Sequence, residues 1–226
     1  MSDVELARIP AGELRTARGA RPVPIPAFEI GVYPVTEEQL GEVLGVTASH
    51  PRRPAVNLSW LRAVRFCNAL SEWEGTDAAY SVDGDEVRWH VDSDGFRLPT
   101  EREWEYACRA GSASAHYGPL AEVAWTASDG LSSPQPVGGK HPNLSGLFDT
   151  LGNVSEWCWD LFDPDRRARD RAFRGGGFAD DAGHARASAR RGAAPASRFD
   201  DVGLRVARGA FDAVAEVPCA DASDLV

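Results

Sequence analysis

The chain has 226 residues, 43% of them hydrophobic and 26% charged, which is enough to bury one core of single-domain size. Its 24 basic residues stand against 34 acidic ones for a net charge of −10, a balance that disfavours general affinity for nucleic acid. No apolar run approaches the ~18 residues of a membrane span, and no basic-then-apolar leader precedes Ile9-Pro10-Ala11-Gly12; the expectation is a cytoplasmic protein with no nucleic-acid or membrane partner.

Taken in order, the chain announces its helices by their starts. Thr36-Glu37-Glu38-Gln39 and Thr100-Glu101-Arg102-Glu103 are capping boxes, in which the Thr hydroxyl and the side chain three residues on satisfy each other's orphan amides. Between them Ser59 caps a helix whose Trp60, Val64, Cys67 and Leu70 recur at helical spacing as one apolar stripe. Tyr80-Ser81-Val82 and Val87-Arg88-Trp89 alternate around Asp83-Gly84, a hairpin pattern with a turn glycine.

Beyond residue 110 helical periodicity fades into short apolar pieces separated by Gly, Pro, Asn and Asp, so the second half is predicted as loops and short strands. Trp104, Trp157 and Trp159 are expected in the core or a pocket wall. Residues 1–209 are assigned to one domain and 210–226 to an acidic C-terminal tail. Cys67, Cys108, Cys158 and Cys219 lie 41, 50 and 61 residues apart, which excludes a CxxC pair, a zinc knuckle or a dense disulfide framework and fits free thiols.

Four segments in this order resemble the formylglycine-generating enzyme family, also called the sulfatase-modifying-factor family. They are Ile9-Pro10-Ala11-Gly12-Glu13, Pro34-Val35-Thr36, the stretch from Gly95-Phe96-Arg97-Leu98-Pro99 to Ala107, and Gly146-Leu147-Phe148-Asp149-Thr150-Leu151-Gly152-Asn153-Val154-Ser155-Glu156-Trp157. Arg174-Gly175-Gly176-Gly177-Phe178 and Gly203-Leu204-Arg205 extend the match. The resemblance implies an α+β fold, a variant of the C-type lectin fold that is rich in loops, with short strands and few helices. It also implies a structural Ca²⁺ held by the Asp149 and Glu156 side chains and by the Gly152 and Val154 carbonyls. Hard carboxylate oxygens and a glycine-permitted tight turn suit such an oxygen cage; a loop tied by carboxylate-to-amide hydrogen bonds is the alternative.

Catalysis is where the sequence departs from that pattern. The family's oxidases hold copper with two cysteines, because thiolates suit Cu(I), but ungapped matching puts Asp180 and Ala185 at those positions and Gly177 at the accompanying serine. No copper is expected. The predicted function is therefore a binding module, with residues 177–201 as its recognition surface and Asp180, Asp181, His184, Arg191, Phe199, Asp200 and Asp201 as the ligand-binding candidates.

That stretch also resembles the variable region of diversity-generating-retroelement proteins, which display changeable side chains on this fold. The partner is a protein or a small molecule of unspecified identity. The rival reading is an oxidase or tailoring enzyme using a non-copper metal at Asp180, Asp181 and His184, whose oxygen and imidazole donors suit Mn²⁺, Fe²⁺ or Zn²⁺. Residues 166–191 carry eight arginines against Asp170, Asp180 and Asp181, either an anion- or protein-binding face or arginines paired with carboxylates of the acidic remainder; the second is expected for Arg186, Arg190 and Arg205, while Arg166, Arg167 and Arg169 are read as freer loop residues.

Overall fold

A computed structural model describes residues 3–15 and 21–209; the predicted acidic tail lies outside them. The chain opens with β1 (Leu6–Ile9), β2 (Gly12–Leu14), β3 (Val23–Ile25) and β4 (Phe28–Gly31), followed by α1 (Glu37–Leu44) and α2 (Trp60–Trp73). The hairpin β5 (Tyr80–Asp83) and β6 (Glu86–Trp89) leads to α3 (Glu101–Arg109) and the single turn α4 (Leu120–Val123). β7 (Ser155–Asp163), β8 (Arg167–Arg174), β9 (Arg190–Ala193), β10 (Val202–Leu204) and β11 (Ala207–Arg208) complete it.

The capped helices form as their sequences dictate. Thr36 Oγ1 accepts from Gln39 N at 3.2 Å while Thr36 N donates to Gln39 Oε1 at 3.0 Å, and α1 stops where Gly45 turns left-handed at φ 67°. At α3 the box is doubled in use. Glu103 accepts from Thr100 N at 2.8 Å and also takes both Arg97 Nη atoms, at 2.8 and 2.7 Å, in a buried fork. Trp60, Val64, Cys67 and Leu70 are all buried, so the α2 stripe is core, and Tyr80 pairs with Trp89 across the predicted hairpin.

A three-stranded sheet in the order β1-β4-β11 brings the two ends of the domain together, with Ala207 opposite Ile30. The site-bearing sheet runs β10-β7-β8-β9, parallel between β10 and β7 and antiparallel elsewhere. Its position is pinned by two indoles: Trp60 Nε1 donates to Cys158 O at 2.8 Å and Trp157 Nε1 to Leu58 O at 2.9 Å. Trp104 and Trp157 are buried, and Trp159 stacks on Tyr80 with ring centroids 5.1 Å apart.

One expectation needs correction. Arg167 and Arg169 are not in a loop: β7 and β8 are nine and eight residues long and pair through two register shifts, leaving only the turn around Arg166 between them. The strand is polar because its arginines find partners on α2, α3 and β7. Arg171 lies over the Trp60 ring at 3.9 Å and donates to Trp159 O at 2.6 Å, and so replaces the apolar alternation by which a strand is recognised in sequence. No helix among the described residues is long and apolar enough to cross a membrane.

Candidate binding cleft

The signature loop before β7 is built on Arg205. Its guanidinium donates to Gly31 O and Val32 O at 2.8 Å, to Phe148 O at 2.7 Å, and to both oxygens of Glu156, with Nη2 to Oε1 at 2.7 Å and Nε to Oε2 at 3.0 Å. Trp104 Nε1 adds a donor to Glu156 Oε2 at 2.6 Å. Both side chains of the pair are wholly buried. Nε also reaches Oε1 at 3.2 Å, so each carboxylate oxygen of Glu156 receives two donors and its lone pairs are used.

Of the expected calcium set of Asp149, Gly152, Val154 and Glu156, the Glu156 carboxylate is bound to Arg205 and Trp104, while Asp149 retains an oxygen without a partner. The positive charge beside the carboxylates is the guanidinium. Asp149 adopts a left-handed φ of 54°; its Oδ2 accepts from Gly138 N at 2.7 Å, while Oδ1 is buried without a partner. Burial pushes the Asp149 carboxyl up to about 6, against the opposing pull of the Gly138 amide and Arg205. Gly152 is required by a close approach: at φ 70° a Cβ would lie 2.2 Å from Trp125 O. Asn153 donates its backbone N–H to that same oxygen at 2.9 Å and its side chain bridges Gln135 N and O. Val154 is buried beside them. Apart from Asp149 Oδ1, these polar groups of the loop are thus tied to Trp125, Gln135, Gly138, Trp104 and Arg205.

On the far side of β7, a cleft of about 760 Å³ opens between the tip of the β7–β8 hairpin, β9 and the segment leading into β10. Phe162, Phe173 and Phe199 form its aromatic surface, Arg166, Arg167, Arg190 and Arg191 its cations, and Asp163 and Asp201 its acids. Two of the arginines are fixed from behind. Arg190 Nε donates to Glu101 Oε1 at 2.7 Å, its Nη2 also contacts Glu101, and its guanidinium lies 5.2 Å from the Phe162 ring. Arg191 forks onto Asp180, with Nη1 to Oδ1 at 3.0 Å, reaches Ser155 Oγ at 2.8 Å and lies 5.3 Å from the Phe173 ring.

Arg174 joins Glu101 and Glu105 underneath. Asp160 accepts from Glu101 N at 2.7 Å and is pushed up to about 6 by burial and by the Glu101 charge. Burial likewise raises the Asp201 carboxyl, with Arg191 pulling the other way.

The seven candidate ligand residues divide. Arg191, Phe199 and Asp201 line the cleft; Asp180 stands behind it, accepting from Arg191 and from Gly177 N at 2.7 Å. Asp181 and His184 form an exposed turn of their own, Asp181 Oδ1 meeting His184 Nδ1 at 2.9 Å and Gly183 N at 2.9 Å, and the His184 contact lowers the Asp181 carboxyl. Asp200 lines a different hollow with Phe178 and Arg53. The Asp-Asp-x-x-His metal reading fails on this geometry: Asp180 turns inward to Arg191 and Asp181 outward to His184, and no three His, Cys, Asp or Glu side chains among the described residues converge as a metal site.

Ala185, at the second copper-cysteine position, is fully buried. Cys67, Cys108 and Cys158 are buried free thiols, with Cys108 pushed up to about 12 by burial; Cys219 lies outside the described residues. Sequence reasoning missed Phe162, Phe173 and Val202 as cleft residues, while Arg190, expected to pair with a carboxylate, does so with Glu101 and lines the cleft as well. The signal that was present is the Phe162-Asp163-Pro164-Asp165 turn, which marks the hairpin tip; no sequence signal marks β9 as its wall.

Residues 4–210 match the family described as sulfatase-modifying factor enzyme 1-like domain. The chain is 28% identical to the chaperone protein LppX of Paenibacillus barcinonensis, over 77% of this chain and 78% of that protein. It is 30% identical to the inactive C-alpha-formylglycine-generating enzyme 2 of Mus musculus over 70% of this chain, and the match spans 49% of that protein's length. Among solved structures it is similar to Treponema denticola variable protein 1, with a TM-score of 0.81 at 28% identity, covering 90% of this chain and 94% of the other. With the signature loop, the capped α3 and the β10-β7-β8-β9 sheet in place, the chain belongs to the sulfatase-modifying factor enzyme 1-like domain family, on a loop-rich α+β fold of the C-type-lectin type.

Proposed function

We propose that the chain is a binding module that uses the family's fold for recognition instead of oxidation, with the cleft between β7–β8, β9 and residues 199–202 as the recognition site. The observation that carries this reading is the fate of the copper-cysteine positions. Asp180 is spent in holding Arg191 at the edge of the cleft, and Ala185 is buried. A position that holds a soft metal ligand in the oxidases here fixes a guanidinium, and a fixed guanidinium beside aromatic rings is recognition chemistry. The similarity to a chaperone protein, an inactive enzyme and a variable protein supports the same direction. The scaffold beneath is held by the buried Arg205–Glu156 pair.

Phe199→Asp tests the reading. Phe199 is 36% exposed and its backbone carbonyl, not its ring, accepts from Asn57 N, so the variant is expected to keep its fold, seen as a far-ultraviolet spectrum unchanged from the wild type. Material retained on immobilised wild type from its native lysate, profiled as both proteins and small molecules, is expected to be lost on the variant. Equal retention by a folded variant overturns the assignment of this cleft.

A further inference from the structure

We infer that the cleft takes an acidic segment of a protein partner that carries an aromatic side chain, the acids meeting the arginine rim and the ring lying on the phenylalanine floor. The inference rests on the reading of the cleft as a recognition site and adds the chemistry of the ligand. Four arginines face two aspartates in the lining. The carboxylates that fix Arg190 and Arg191 sit behind them, so part of each guanidinium remains to be used: Arg190 Nη1 and Arg191 Nε have no partner among the described residues.

At the rim the donors are freer still. Arg166 is exposed and its side chain has no partner among the described residues, and Arg167, 61% exposed, meets Asp170 at 3.4 Å. Guanidinium groups with open donors select carboxylates, which they grip two oxygens at a time.

The floor explains the second half of the specificity. Phe173 is buried edge-on to Trp157 and supports Phe199, 5.9 Å away at 38° and 36% exposed, so the open ring surface is that of Phe199, with Phe162 and its Arg190 in the same lining. Openness decides between a small molecule and a chain segment. Small-ligand sites bury most of their ligand, whereas here Arg190 is 44% and Arg191 33% exposed and the rim arginines stand in water. A segment held by its side chains, with its backbone leading away to the rest of a partner, fits such an open cleft. The remainder of this chain is acidic, so the cationic rim is also what lets an acidic segment approach at all.

Selection of a random octapeptide display library on the full chain tests this. The wild type is expected to enrich peptides that combine Asp or Glu with Phe, Tyr or Trp. A synthetic peptide of the enriched sequence is expected to bind the Arg166→Glu/Arg167→Glu variant about tenfold or more weakly, and to lose wild-type affinity as salt rises, as rim charges do. The variant's melt checks folding, and Arg166→Lys/Arg167→Lys keeps the charge while removing the fork, so it is expected to bind at an intermediate level.

Enrichment of basic or uncharged peptides, equal binding by the charge-reversed variant, or no enrichment each overturns the inference. Should any of these occur while Phe199→Asp still abolishes retention from lysate, the recognition cleft stands and its ligand belongs to another chemical class. If Phe199→Asp also retains everything, both fall.

Discussion

Replacing Asp149 by Asn separates a loop tied by protein groups from one built around a cation. The wild-type carboxyl is buried, with one oxygen on Gly138 N and the other unpartnered, and sits at about 6 against an ordinary 3.8. The folded state therefore holds this proton more tightly than the unfolded chain does. Its contribution to stability is complete below pH ~4 and is lost as pH rises through about 6. The gap of about two pH units, at roughly 1.4 kcal/mol each, makes the loss about 3 kcal/mol at neutral pH.

Asn carries no charge, accepts from Gly138 through its carbonyl, and tolerates the φ of 54° as Asp does. Its amide replaces the unpartnered oxygen, and a buried unsatisfied donor costs about 1 kcal/mol or more. The net expectation at pH 7.5 is a gain of about 1–2 kcal/mol, or roughly 2–8 °C in melting temperature for a chain of this size. At pH 4 the carboxyl's loss is absent and the donor's cost remains, so the variant should be about 1 kcal/mol the less stable there. Urea unfolding at both pH values, with and without added calcium, measures the four numbers. A variant less stable than wild type at pH 7.5, together with wild type stabilised by calcium, refutes the reasoning, because the carboxylate charge would then be in use.

Other expectations follow from the same contacts. Arg205→Met leaves Glu156 buried and uncompensated and is expected to destabilise by about 3–5 kcal/mol, measured by urea unfolding, with calcium unable to restore the loss. Gly152→Ala sets a Cβ 2.2 Å from Trp125 O at a φ of 70° and is expected to cost about 3 kcal/mol, since strain and backbone displacement add; an unchanged melt would contradict the described approach of the two segments. Cys67, Cys108 and Cys158 are buried with raised thiol values, so in native buffer a thiol reagent should leave these positions unmodified, with mass mapping of the digest showing labelling there only after denaturation.

What could be read from the sequence follows from where each signal resides. Caps at Thr36 and Thr100, the α2 stripe and the β5–β6 hairpin are local devices in which neighbours in sequence satisfy one another, and each appears where expected. β8 escaped because its side chains are arginines whose partners, Trp60, Trp159, Glu101 and Glu105, come from other elements. The signature loop was legible as a loop that gathers carboxylates, but the pairing of Glu156 with Arg205, 49 residues further on, was not, because it is set by the fold and not by neighbours in sequence. Of the cleft, Arg191 and Phe199 were within reach because they lie in the stretch read as a recognition surface. Phe162 was not, since only the register of β7 and β8 sets it at the tip of the hairpin beside that stretch.

The claim that this member of the family binds without oxidising is tested most directly by incubating the purified chain with copper, oxygen and a sulfatase-type Cys-x-Pro-x-Arg peptide and weighing the peptide by mass spectrometry. With Asp180 committed to Arg191 and Ala185 buried where thiolates would be needed, the peptide is predicted to keep its cysteine mass. A product that has lost sulfur and gained an aldehyde would contradict the account.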